Sequence, residues 1–89
     1  MIEQDILICN KLGLHARAAA KFVTLASNFD CEINLRRDSR TVNGKSIMGV
    51  MMLAAAKGTT LQLLVDGPQE QEAISQLTAL VNNKFDEGE

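Results

Sequence analysis

Two segments of this chain alternate apolar and polar residues over the length of a strand, and this alternation limits the folds it can adopt. Residues 31–37 read CEINLRR and residues 59–66 read TTLQLLVD, with apolar side chains at every second position. A period of two predicts strands with one buried face and one face toward water. A sheet built from such strands is antiparallel or mixed and needs helices on one side only.

Segments with a helical period lie between these strands. Residues 16–28 carry apolar residues at the i, i+4 and i+7 positions, and residues 46–56 read as a short helix with Lys57 and Gly58 as its stop signals. GPQE opens a last helix, while residues 2–9 and TVNG read as strands. We therefore predict an α+β fold, an open-faced β-sandwich whose four-stranded, mainly antiparallel sheet carries three helices on one face.

The composition is that of a small globular domain with an aliphatic core. Of the 89 residues, 46% are hydrophobic and 22% are charged, which is typical of a folded chain. Because tryptophan and tyrosine are absent and only three phenylalanines are present, the core must consist mainly of aliphatic side chains. We expect one domain over residues 1–89. Cys9 and Cys31 are expected to be free thiols, although the sequence does not decide whether they pair.

Charge and hydropathy argue against several classes of function. A net charge of −2 is unlike the basic excess of nucleic-acid binders, and there are no aromatic platforms on which bases could stack. The apolar runs are too short to cross a bilayer, and the first ten residues lack the basic region of a signal peptide. These features predict a cytoplasmic protein without membrane insertion.

The single histidine, His15, stands between a strand-like and a helix-like segment in the stretch NKLGLHARAAAKF. Gly13 permits a tight approach to the helix, so His15 falls at or beside its N-cap. The N–H groups from Ala16 to Ala18 have no helical partners there, and the helix dipole adds positive charge. Arg17 adds a guanidinium that suits phosphate oxygens. This pattern predicts a phosphate cradle beside a neutral, nucleophilic imidazole.

A zinc site is the alternative use of this histidine. It lacks partners, because there is no second histidine and the two cysteines lie on predicted strands without ligand spacing. We expect neither a metal nor a cofactor.

NKLGLHARAAAKF resembles the active-site segment of the HPr family, the histidine phosphocarriers of the phosphoenolpyruvate:sugar phosphotransferase system. VNGKSIMGVMMLAAAKG resembles the second signature of that family, and the resemblance covers essentially the whole chain. It implies that His15 is phosphorylated, with Nδ1 as the expected acceptor atom, and that Arg17 binds the phosphate. The family's usual proline after the arginine is Ala18 here, which restores an N–H and loosens the first helical turn slightly.

The resemblance also implies partners. Enzyme I would donate the phosphoryl group and enzyme IIA components would accept it, for sugar uptake and regulation. These partners would supply most of the catalysis, so we expect a monomeric carrier that is not itself an enzyme. Ser46 matches a serine that HPr kinase/phosphorylase modifies in many bacteria, whereas its residue type and position alone indicate a helix N-cap.

The helix predicted at residues 46–56 is apolar nearly all round. Val50 and Leu53 are expected to face the core, which leaves an exposed apolar patch suited to binding several partners. The first helix is expected to border that patch. The expected docking residues are Ala20, Lys21, Thr24, Ile47, Met48 and Met51.

Two alternatives remain open at this point. One is a carrier of a nitrogen-related or regulatory phosphotransferase branch, and the other is a non-phosphorylated regulatory binding domain of the same shape. A stand-alone enzyme is disfavoured, because one histidine without a second acid/base cluster is a poor catalytic site. The acidic segment FDEGE at the end of the chain is predicted to be a solvated tail.

Overall fold

The computed structural model describes residues 1–88 and contains a four-stranded sheet covered on one face by three helices. The elements are β1 (Ile2–Leu7), α1 (Ala16–Ala26), β2 (Glu32–Arg37), β3 (Arg40–Asn43), α2 (Ile47–Met51), β4 (Thr60–Asp66) and α3 (Glu70–Asn82). A single helical turn at Lys84–Asp86, named the terminal turn below, follows α3. The predicted α+β open-faced sandwich and its order of elements are confirmed.

The sheet has the strand order β1-β4-β2-β3, and every neighbouring pair is antiparallel. β4 therefore lies inside the sheet, where Leu63 pairs with Gln4 of β1 and with Leu35 of β2. The alternating apolar residues of β2 and β4 point toward the helices and are buried, as their period predicts. This leaves the opposite face of the sheet open.

The helices bury the stripes that their periodicity indicates. α1 buries Ala19, Val23 and Ala26 together with Phe22, and the side chain of Phe29 just beyond the helix is also buried. Burial of a phenylalanine or leucine side chain contributes roughly 1.5–3 kcal/mol. α3 buries Ala73, Leu77 and Val81 on the same side of the sheet. The core is therefore almost entirely aliphatic, with phenylalanine as its only aromatic type.

The helix predicted at residues 46–56 is wrong in its length, because α2 ends at Met51. The segment that follows is held in a non-helical conformation by side chains from the β2–β3 hairpin. Arg37 Nη1 donates to the carbonyls of Leu53 (2.8 Å) and Ala54 (3.1 Å), and Ala54 turns into the left-handed region with φ +49°. These tertiary hydrogen bonds outweigh the helical propensity of the alanine-rich sequence.

The predicted solvated tail is wrong at Phe85, which is buried, and at Glu87, which is half-buried, whereas Asp86 and Gly88 are exposed. Lys84, Phe85 and Asp86 all have positive φ, near +60°, and they form the left-handed terminal turn. This conformation is unfavourable for residues other than glycine, but it lets Phe85 enter the core with no exposed surface. The last residue of FDEGE, Glu89, lies outside the described residues.

Both cysteines are free thiols, as predicted; Cys31 is buried and Cys9 is half-buried. Among residues 1–88, no helix is long and apolar enough to cross a membrane. In the same part of the chain, no three side chains of histidine, cysteine, aspartate or glutamate are grouped in a way that could hold a metal ion.

Candidate functional site

His15 is the N-cap residue of α1. Its backbone is extended (φ −75°, ψ 178°), and its Nδ1 atom accepts a hydrogen bond from the Arg17 N–H at 3.2 Å. The imidazole therefore does what the side chain of a serine or asparagine does at most helix starts. Because its side chain is 29% exposed, the ring is held at the surface with one edge against the helix N-terminus.

The loop before α1 fixes the position of this imidazole. Gly13 has φ +68°, and its neighbour Leu14 donates its N–H to the Ala55 carbonyl at 2.9 Å while burying its side chain. The Gly13 N–H donates to the carbonyl of Asn10, and the Asn10 amide group donates back to the carbonyl of Gly13 at 2.8 Å. Two hydrogen bonds between Asn10 and Gly13 thus close the turn, and the Leu14 N–H bonds it to the segment after α2.

A carboxylate faces the other edge of the imidazole. His15 Nε2 lies 2.7 Å from Glu87 Oε2, and Glu87 Oε1 accepts a hydrogen bond from Asn10 Nδ2 at 3.0 Å. The sequence argument considered only positive groups around His15, and this carboxylate is a correction to it. Its position follows from the terminal turn, which the burial of Phe85 holds against the core.

The ionisation of Glu87 follows from these contacts. Burial disfavours the charged carboxylate and by itself raises the pKa of Glu87. Hydrogen bonds from Asn10 and His15, together with the positive charge of Lys21, outweigh burial and hold the pKa of this carboxyl below its ordinary value. Glu87 is therefore a carboxylate, and hence only an acceptor of hydrogen bonds, at neutral pH.

An open cleft of about 640 Å³ lies in front of His15. Lys11, Arg17 and Lys21 line it together with the acidic Asp86 and Glu87, so basic side chains outnumber acidic ones around the imidazole. Ala16 and Arg17 are exposed at this helix start, whereas Ala18 has no exposed surface and packs in the core. Burial of the Ala18 side chain does not bear on the predicted role of its backbone N–H, and phosphate binding by the amides of Ala16, Arg17 and Ala18 stays a prediction.

Comparison with known proteins identifies the family. The sequence profile described as PTS HPr component phosphorylation site matches residues 2–83. The chain belongs to the HPr family. The phosphocarrier protein HPr of Cupriavidus necator is 56% identical over 89 residues, which is 100% of both chains.

Solved HPr structures have the same fold. The crystal structure of HPr-C-His from Thermoanaerobacter tengcongensis has a TM-score of 0.94 at 47% identity and covers 98% of each chain. The HPr dimer from the same organism has a TM-score of 0.77 at 47% identity, with 96% of this chain and 98% of that chain covered. The chain thus has the fold and the sequence signature of the phosphocarrier proteins of this family.

Ser46 is the N-cap residue of α2. Its hydroxyl accepts a hydrogen bond from the Gly49 N–H at 3.1 Å, and the residue is half-exposed. The hydroxyl thus serves the cap that the residue type predicts, while remaining at the surface.

The residues predicted to dock partners lie on two neighbouring helices. On α2, Ile47 (44% exposed), Met48 (78%) and Met51 (41%) face solvent, whereas Val50 and Leu53 are buried as predicted. Ala20, Lys21 and Thr24 line a second cleft, of about 500 Å³, which shares Arg17 with the cleft in front of His15. We call Ile47, Met48 and Met51 the α2 patch below.

Sequence reasoning missed several residues of this site. The sequence predicts a solvated tail at Glu87 and gives no signal for Asn10 or for Leu12, which is 68% exposed beside the His15 cleft. One signal was available for Glu87. A chain with only three phenylalanines is expected to bury all of them, and burial of Phe85 requires the end of the chain to turn back onto the core.

Proposed function

We propose that His15 carries a phosphoryl group between two partner proteins. It accepts the group from the phosphohistidine of enzyme I and passes it to a histidine of an enzyme IIA component, in support of sugar uptake and its regulation. The observation that carries this proposal is the placement of His15 Nδ1 against the N-terminal N–H groups of α1, at the mouth of a cleft lined by basic side chains.

The transfer exchanges one P–N bond for another. The Nδ1 lone pair of His15 attacks phosphorus, the P–N bond to the donor imidazole breaks, and the donor ring keeps that electron pair. The same exchange in the opposite sense delivers the phosphoryl group to the acceptor histidine. No atom is oxidised or reduced, so the work of the protein is positioning and stabilisation of charge.

Positive groups at the helix start would stabilise the phosphoryl oxygens. The Arg17 N–H, which donates to Nδ1 in the free protein, is placed to donate to a phosphoryl oxygen once Nδ1 is occupied. The exposed guanidinium of Arg17 supplies a fork of N–H donors, and Lys21 adds charge from the next turn of α1. Ala16 contributes an exposed backbone at the same point.

The direct test is incubation of the purified chain with enzyme I and phosphoenolpyruvate. We expect one phosphate per chain, seen as a single mass shift, which is lost in acid because the P–N bond is acid-labile. Addition of an enzyme IIA component should remove the phosphate. Absence of labelling, or labelling that survives acid, would contradict the proposal.

The α2 patch and its neighbours on α1 supply the proposed docking surface. Exposed apolar side chains next to a reactive group are typical of binding surfaces, and flexible methionines can adapt to more than one partner. The partners would bring their own catalytic groups, so this chain would act as a carrier. We further propose that it acts in the cytoplasm and as a monomer.

Replacing Met48 with serine is expected to raise the KM for phospho-enzyme I about 10-fold and to leave kcat nearly unchanged, because contact area is lost without any change at His15. Steady-state transfer assays with purified partners measure both constants. Leu7→Ser is the matched control, since Leu7 is 51% exposed on a strand of the sheet. An equal rise in KM for both variants would show that the α2 patch is not the docking site.

We also propose that Ser46 is a regulatory phosphorylation site for HPr kinase/phosphorylase. Its half-exposed hydroxyl immediately precedes Ile47 and Met48, so a phosphate there would put about two negative charges beside the α2 patch. Such a charge is compatible with a helix N-terminus but opposes docking of an acidic or apolar partner surface.

A further inference from the structure

Glu87 uses its two carboxylate oxygens for two different tasks. Oε2 contacts the Nε2 atom of His15 at 2.7 Å, while Oε1 accepts a hydrogen bond from the side chain of Asn10 at 3.0 Å. The carboxylate side chain is only 13% exposed, so little water competes with either contact. Its orientation relative to the imidazole is therefore fixed by protein atoms.

Asn10 is an unexpected residue to find at this position. Within the described residues it is the one polar side chain that is buried, with 0% exposure, and its Oδ1 atom has no hydrogen-bond partner. A buried acceptor without a partner is destabilising, so an apolar residue of similar size would serve the core better. What Asn10 provides in return is two donations from Nδ2, to the Gly13 carbonyl and to Glu87.

The terminal turn brings Glu87 to this point and is itself anchored twice. Phe85 is fully buried, and its carbonyl accepts a hydrogen bond from Lys21 Nζ at 2.8 Å. Lys21 thus binds the turn from α1, the same helix that His15 caps. The carboxylate, the imidazole and the helix start form one connected arrangement.

The two contacts of the imidazole assign its proton. Glu87 is ionised and can only accept, so Nε2 must carry the hydrogen in their 2.7 Å contact. Nδ1 accepts the N–H of Arg17, so Nδ1 carries no hydrogen. Both contacts select the same tautomer, in which Nδ1 has the lone pair and faces the helix N-terminus.

We propose that Glu87, oriented by Asn10, is a positioning residue for phosphoryl transfer: it holds the Nε2 proton of His15 so that Nδ1 presents its lone pair to phosphorus. This inference rests on the proposed function of His15. As the Nδ1–P bond forms, the ring keeps its Nε2 proton and gains positive charge, which the carboxylate 2.7 Å away stabilises. When the phosphoryl group leaves, that charge is lost and the same hydrogen bond remains.

The test compares Glu87→Ala, Glu87→Gln and the charge control Glu72→Ala, whose carboxylate is exposed on α3. In the wild type we expect a ¹⁵N–¹H signal from His15 Nε2–H, protected from exchange by its hydrogen bond, and pyridine-type nitrogen at Nδ1. The signal should disappear in Glu87→Ala and persist in Glu87→Gln, whose amide oxygen can still accept, and in Glu72→Ala.

Transfer kinetics provide the second measurement on the same proteins. We expect Glu87→Ala to lower kcat for transfer from phospho-enzyme I about 10-fold, with little change in KM, because the imidazole loses one of two orienting contacts while the Arg17 N–H still selects the tautomer. Glu87→Gln should lie between this variant and the wild type. Far-UV circular dichroism verifies that each variant is folded.

Two results would overturn the inference. One is an Nε2–H signal in Glu87→Ala equal to that of the wild type, and the other is an equal loss of kcat in Glu87→Ala and Glu72→Ala. Either can occur while the wild type is phosphorylated normally. Failure of the proposed function has a different signature, namely a wild-type chain that accepts no phosphate although its Nε2–H signal is present.

Discussion

Replacing His15 with asparagine is expected to abolish phosphorylation by enzyme I and to leave the fold intact. Asparagine is a favoured N-cap residue, so its side-chain oxygen can accept the Arg17 N–H that Nδ1 accepts in the wild type. It has no nucleophilic nitrogen, because its amide lone pair is delocalised. The variant therefore separates the structural role of His15, as a helix cap, from its proposed chemical role.

Mass spectrometry after incubation with enzyme I and phosphoenolpyruvate measures this effect, and urea unfolding measures stability. His15→Ala should also lose all phosphate, but it should in addition lose about 1 kcal/mol of unfolding free energy with its cap. Acid-labile phosphate on the asparagine variant would mean that another residue is the acceptor. In that event the proposed function of His15 would be wrong.

Replacing Gly13 with alanine is expected to lower the free energy of unfolding by about 3 kcal/mol and to impair transfer as well. Two costs combine at this position. The backbone lies at φ +68°, and an added Cβ would stand 2.6 Å from the Ala55 carbonyl oxygen and 2.9 Å from the Ala56 Cα. Both obstacles are backbone atoms, so relief requires the His15 loop to move away from the segment after α2.

Gly58→Ala is the matched control for this prediction. Gly58 also has positive φ, +94°, but a Cβ there would meet nothing within 4 Å. Its substitution should therefore lower the free energy of unfolding by only about 1–2 kcal/mol, from backbone strain without a steric clash. Unfolding is followed by circular dichroism of the helices, since the chain has no tryptophan. Equal losses of unfolding free energy in both variants would indicate that the close approach of Gly13 to Ala55 and Ala56 does not contribute to stability.

Where one segment alone carries the signal, the sequence predicts the structure well. The alternation of β2 and β4 and the stripe on α1 each state which side chains are buried, because a fixed backbone period puts every second or every third to fourth residue on one face. The position of His15 at the start of α1 follows in the same way from Gly13 and the alanine-rich segment. The family of the chain can also be predicted from the sequence, since both signatures are local stretches of residues.

Where distant segments decide, prediction from the sequence was wrong or incomplete. The arginine of β2 that binds the Leu53 and Ala54 carbonyls holds the segment after α2 in a non-helical conformation, and no pattern within residues 46–56 indicates this. Glu87 and Asn10 are 77 positions apart, and Glu87 and His15 are 72 apart. Contacts over such separations depend on how the whole chain packs.

The amino-acid sequence alone thus determined the order of strands and helices, the buried faces and the location of the reactive imidazole, because each depends on backbone periodicity and on residues close together in the chain. Only the tertiary structure decided that a left-handed turn returns the end of the chain to that imidazole and sets a carboxylate against Nε2. The physical reason is that this turn is unfavourable for its own residues. It is stabilised by burial of Phe85 and by the Lys21 hydrogen bond, which exist only in the folded protein.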